Sequence, residues 1–146
     1  MEKENKKEID VKQQEMQQKY MEINYMQQHL EQYTKQLDVF ENQLNEIDMI
    51  MEALDTINTK EQGSEILVPI SNGIFAKGKL DNNNSLIVNV GSNIAVEKDV
   101  EGTKALLEKQ KSEISSAKLQ INGVISTLTG QMQAVENDLK EFVKAE

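Results

Sequence analysis

Apolar residues recur at every seventh position along most of this chain, and only the middle breaks the pattern. Stepping by seven from Ile9 gives Ile9, Met16, Ile23, Leu30, Leu37, Leu44 and Met51, all apolar. Starting three residues later gives Lys12, Lys19, Met26, Tyr33, Phe40, Ile47 and Leu54, of which five are apolar. An a/d seam held over so many heptads predicts a coiled-coil helix rather than the single amphipathic helix of a globular domain. Lys12 and Lys19 break the second series, so packing is expected to loosen toward the N-terminus. Gly63, shortly after Lys60, marks the expected stop: a left-handed glycine behind a late cation.

A second seam follows the middle. Val100, Leu107, Ile114, Ile121, Leu128, Val135 and Phe142 are again all apolar, and Asp99 stands where an N-cap belongs. Four residues on from these lie Lys104, Lys111, Lys118, Ile125, Met132 and Leu139, so this seam is one-sided at first and two-sided toward the C-terminus. Ile121 to Gly130 is rich in poor helix formers, including Asn122, Gly123 and Gly130, and predicts a soft joint. The stretches Ile9–Ile57 and Lys98–Glu146 are both 49 residues long. Folded back antiparallel, each would make an arm about 70 Å long with the chain termini at its tip.

The middle, Ser64 to Lys98, changes period. Glu65-Ile66-Leu67-Val68-Pro69-Ile70 reads as a strand and Ser71-Asn72-Gly73 as a turn, and Ile74-Phe75-Ala76-Lys77-Gly78-Lys79-Leu80 returns. After the loop Asp81 to Ser85, Leu86-Ile87-Val88-Asn89-Val90 and Ile94-Ala95-Val96-Glu97 repeat the scheme around Gly91-Ser92-Asn93. The two hairpins align at an offset of twenty residues, by duplication or by shared hairpin grammar. Pro69 cannot donate a ladder hydrogen bond and predicts an edge or a bulge. Gly78 also suggests a bulge. Two hairpins make a poor core by themselves. Either they pack on their own helices, or they pair with other subunits and close into a larger barrel. The second reading makes Ile66, Leu67, Val68, Ile70, Phe75, Leu86, Ile87, Val88, Val90 and Ile94 the assembly residues. The expected fold is therefore α+β: a long antiparallel coiled-coil hairpin with two central β-hairpins that oligomerise into a β-barrel body. It forms one domain, with a helix over 1–62, an assembly region over 64–98 and a helix over 99–146.

Composition narrows the function. With 28% charged and 4% aromatic residues, the chain suits long helices better than a thick core. Its net charge is −9 and all 16 cations are Lys, which disfavours phosphate backbones and bidentate guanine recognition. That argues against a transcription-linked coiled coil. There is no Cys, hence no disulfide framework or thiolate metal site, as suits a reducing compartment. No signal-like apolar stretch opens the chain and no run is long enough to span a bilayer, so a cytoplasmic location is expected.

Candidate chemistry is sparse. The only His, His29, falls beside the seam and reads as a solvated flank. Glu41, Glu46 and Asp48 read as a solvated helix face. Gly73, Gly78 and Gly91 lack phosphate-loop spacing. The expectation is no enzymatic activity, no cofactor and no metal. What remains is the tip: Ile9, Val11, Met16, Met21, Leu139, Phe142 and Val143. These side chains either seal the end of the coiled coil or offer an adaptable apolar surface, for which Met is well suited.

In Ile66-Leu67-Val68-Pro69-Ile70, in Gly78-Lys79-Leu80, and in Val90-Gly91 with Ala95-Val96-Glu97-Lys98, the chain resembles the alpha class of the prefoldin family. The likeness extends over nearly the whole chain, and two hairpins rather than one favour the alpha class, in its archaeal form by length. The resemblance implies a hexamer of two alpha and four beta-type subunits, a double β-barrel body and six coiled-coil tentacles. It also implies ATP-independent holding of unfolded proteins at the tentacle tips and their delivery to a group II chaperonin. The other reading is a structural adaptor whose sheet oligomerises and whose arms bind one defined partner.

Overall fold

The computed structural model describes residues 1–145. Six elements follow in order: α1 (Glu2–Asn58), β1 (Glu65–Ser71), β2 (Ile74–Lys79), β3 (Leu86–Asn89), β4 (Ala95–Lys98) and α2 (Val100–Lys144). They fall into two compact units, Met1–Glu41 with Ser116–Glu146, and Asn42–Ser115.

The first unit contains helix only. Lys19 pairs with Asp138 and Lys118 with Glu41, so the two helices run antiparallel within it. Met26, Val135 and Leu139 are buried in the seam. Met16, Ile23, Leu30, Leu37, Ile125, Leu128 and Met132 are half-buried, as the heptad pattern requires. The helix-poor stretch 121–130 stays within α2. Thr127 and Thr129 turn their hydroxyls back on the carbonyls of Gly123 and Ile125, at 3.1 and 2.8 Å, the i−4 bonding that a threonine within a helix can make.

The second unit joins the helix bases to both hairpins. Ile47 and Leu54 of α1 meet Val100 and Leu107 of α2, and Met51, Ile114 and Leu86 pack against them. Val100 is only 1% exposed. Asp99 caps α2: its carboxylate accepts from the Gly102 amide at 2.7 Å, satisfying a donor that the helix leaves free. A Cβ on Gly102 would lie 2.7 Å from that carboxylate oxygen, so a larger residue there would require the Asp99 side chain to shift.

At the other helix end the sequence reading is corrected. α1 stops at Asn58, short of the helix expected over 1–62, and has no cation in its last turn. Gly63 does have a left-handed φ of 83°, but its amide donates to Leu80 at 2.6 Å and so opens the first hairpin. The α1 carbonyls are capped instead by a side chain from the asparagine loop. Asn83 Nδ2 donates to the carbonyl of Asn58 at 3.2 Å and to that of Lys60 at 2.8 Å. Asn83→Ala is expected to lower the unfolding free energy by about 1 kcal/mol. Urea denaturation measures it, and an unchanged midpoint would show that water replaces the amide without cost.

Each hairpin is a separate two-stranded antiparallel sheet. In the first, Glu65 faces Lys79 and Pro69 faces Phe75, and the register shifts between Pro69 and Ser71. The bulge thus sits at the proline, which could not have kept the ladder regular. Gly78 is not a bulge: it pairs regularly with Ile66, and a Cβ there would touch Ile66 Cγ1 at 3.5 Å. In the second hairpin, Ser92 and Asn93 both take positive φ, at 51° and 58°. That is the primed turn geometry whose twist matches paired strands.

Candidate functional site

Alternation decides what each hairpin offers. In the second, Leu86, Val88 and Val96 share a half-buried face, and Leu86 reaches the helical core. Ile87 points to the opposite face and is 74% exposed. The first hairpin is bare on both sides. Leu67 and Phe75 stand exposed on one face, and Val68, beside half-buried Ile66, is exposed on the other. Ile70, Ile74, Val90 and Ile94 near the turns are exposed as well. This chain alone leaves its sheets unclosed, with open edges that invite pairing.

The seven tip candidates divide. Leu139 is buried in the seam, and Met16 and Phe142 are half-buried there. Their seam register draws them inward, so they hold the helices together more than they face solvent. Ile9, Val11, Met21 and Val143 are exposed, joined by Tyr20 and Tyr25, which the heptad count had not singled out. A scan of positions off the seam for large apolar groups would have found the two tyrosines.

The acids stay on an exposed helix face, and two of them gain partners across the helix pair. Asp48 accepts from Lys111 Nζ at 2.6 Å, Glu41 pairs with Lys118 at 3.3 Å, and Asp55 accepts from Lys104. The acids are spaced by seven on α1, as their lysine partners are on α2. Lysines on the flank of the seam therefore meet a matching series of acids, with their aliphatic stems against the seam and their ammonium groups outward. Hydrogen bonds donated to the carboxylates raise Lys104 and Lys111 above the ordinary lysine range, and the one Lys19 donates to Asp138 at 2.9 Å does the same there. Lys35 holds the Glu31 carboxyl below its usual range. Beyond Lys118 the flank turns apolar with Ile125, Met132 and Leu139. The signal was present in the heptads as matched opposite charges.

His29 is half-buried rather than solvated. Its ring centroid is 4.3 Å from that of Tyr25 and 6.3 Å from that of Tyr33, an aromatic row along α1. Among the described residues no cluster of His, Cys, Asp and Glu could hold a metal ion, and no helix is long and apolar enough to cross a membrane.

Two long helices flanking a pair of exposed antiparallel hairpins define a coiled-coil subunit with unclosed sheets. A family model described as Prefoldin subunit matches residues 26–145. The chain is 30% identical over 128 residues to a Prefoldin subunit alpha of Methanobrevibacter smithii, covering 83% of this chain and 87% of that one. It is 26% identical over 119 residues to a Prefoldin subunit alpha of Thermofilum pendens, covering 82% and 92%. A chain of the cryo-EM structure of filamentous PFD from Methanocaldococcus jannaschii superposes with a TM-score of 0.74 at 16% identity, covering 80% of this chain and 97% of that one. The chain belongs to the prefoldin subunit family, in which the alpha subunits are its relatives, and its role is that of a prefoldin chaperone subunit. Prefoldin is a chaperone family rather than an enzyme family, and its subunits form hetero-oligomers with one another.

Proposed function

We propose that this chain is the alpha subunit of a cytoplasmic holdase that captures unfolded proteins at its coiled-coil tips. It releases them to a group II chaperonin without ATP. Two copies join four beta-type subunits through the hairpin surface of Ile66, Leu67, Val68, Ile70, Phe75, Leu86, Ile87, Val88, Val90 and Ile94. The observation that supports this reading best is the exposure of Val11, Met21 and Val143, which lie off the seam, beside Ile9, a seam position that is itself left open. Side chains that the coiled coil does not need are free to meet a client. Several weak apolar tips around one cavity hold a client far more tightly together than singly.

Replacing Val11, Met21 and Val143 together by serine tests it. The positions are exposed, so stability should move by no more than about 0.5 kcal/mol each. Suppression of aggregation of a denatured protein should then need roughly tenfold more complex, through lost apolar burial repeated at each tip. Suppression at the wild-type concentration would reject the tip as the holding surface.

A further inference from the structure

Two grooves flank the helix pair near the C-terminal end of α2, and their charges differ. One, of about 270 Å³, is lined by Lys12, Asp138, Glu141, Phe142 and Ala145. The other, of about 300 Å³, is lined by Tyr20, Leu139, Lys140, Val143 and Lys144. Its floor is apolar: Leu139 is buried in the seam, while Tyr20 and Val143 stand half clear of it. Its rim carries two ammonium groups, and among the described residues no carboxylate lines it. On a chain of net charge −9 such a patch departs from the background.

The geometry points to this second groove as a seat for client segments in which an apolar side chain is flanked by carboxylates. The inference rests on the client-holding reading above and adds the chemistry of what is held. The apolar side chain enters between the Tyr20 ring and the Val143 methyls, removing exposed apolar surface from water. Flanking carboxylates meet Lys140 and Lys144, whose long stems let each ammonium follow a client that has no fixed geometry. A lysine-flanked segment finds the same apolar floor but repulsion at the rim. The groove therefore selects among unfolded segments by charge while staying indifferent to their sequence.

Three labelled peptides sharing one apolar centre, flanked by acids, serines or lysines, test this by fluorescence anisotropy against the complete assembly. The acid-flanked peptide should bind about three- to tenfold more tightly than the lysine-flanked one, the scale of two exposed charge pairs. The preference should shrink at high salt, where such pairs are screened. Lys140→Gln with Lys144→Gln should remove it and leave the serine-flanked peptide unchanged. Val143→Ser should weaken all three. Both lysines are exposed on α2, and unchanged helical circular dichroism checks that the double variant folds. Binding of the serine-flanked peptide with no acid preference, or a preference that survives the double variant, overturns the inference alone. Failure of all three peptides to bind, with no suppression of aggregation, overturns it together with the client-holding reading.

Discussion

Leu107→Ala should lower the unfolding free energy by about 2–5 kcal/mol, the range for truncating a buried leucine. Leu107 is 8% exposed and sits where α2 meets Ile47 and Leu54 of α1, with Val100 in the same cluster. Few other residues are as buried, so the loss has little neighbouring core to absorb it. The cavity would open at the place where the helix bases hold the second hairpin through Leu86. Leu119→Ala is the control: Leu119 lies on the same helix but is 73% exposed, and its truncation should move stability by no more than about 0.5 kcal/mol. Urea titration separates the two, through a lower midpoint for Leu107→Ala at an unchanged slope. Equal midpoints would mean that the cluster does not carry the stability of Asn42–Ser115. Loss of hairpin amide protection alongside helix protection would confirm that Leu86 couples them.

Much of this architecture was legible because heptads and hairpins obey short periods. The two seams declare themselves every seven residues, and the hairpins through alternation and turn glycines. What stayed hidden depends on pairing across long sequence separations. Lys104, Lys111 and Lys118 look like interruptions of an apolar flank until Asp55, Asp48 and Glu41 stand opposite. The rule relating them is simple, but it needs the antiparallel register, and a list of heptads on one helix does not supply it. Asn83 was hidden for a similar reason. Three consecutive asparagines read as a loop, yet Asn82 makes a local turn to the Asn84 amide while Asn83 caps a helix that ended many residues earlier. Glycine misled in the opposite way. Gly63 follows a helix and looks like its stop, but its positive φ serves the hairpin. Gly78 looks like a bulge and instead pairs regularly with Ile66. Among the tip residues, burial separates Leu139, which the seam consumes, from Val143, 58% exposed and four residues further along the same helix. Sequence spacing placed both near the tip, and only the packing of α1 against α2 distinguishes them.

Phe75→Asp combined with Ile87→Asp should abolish assembly while leaving the isolated chain folded. Phe75 is 56% exposed and shares a face of the first hairpin with Leu67, which is also exposed. Ile87 lies on the face of the second hairpin opposite Leu86, away from the helical core. Neither belongs to the buried cluster, so helicity and the urea midpoint should change little. In a closed barrel both side chains would leave water, and a carboxylate there would be buried without a partner. Central interface positions of this kind cost about 2–4 kcal/mol or more, so association should weaken at least about hundredfold. Native mass measurement of the variant mixed with beta-type subunits should find separate chains at concentrations where the wild type assembles. A variant that assembles normally would remove the hairpin faces from the interface. It would also leave this much exposed apolar surface on both hairpins without an occupant, a state that a monomeric chain with open sheet edges could not hold without aggregating.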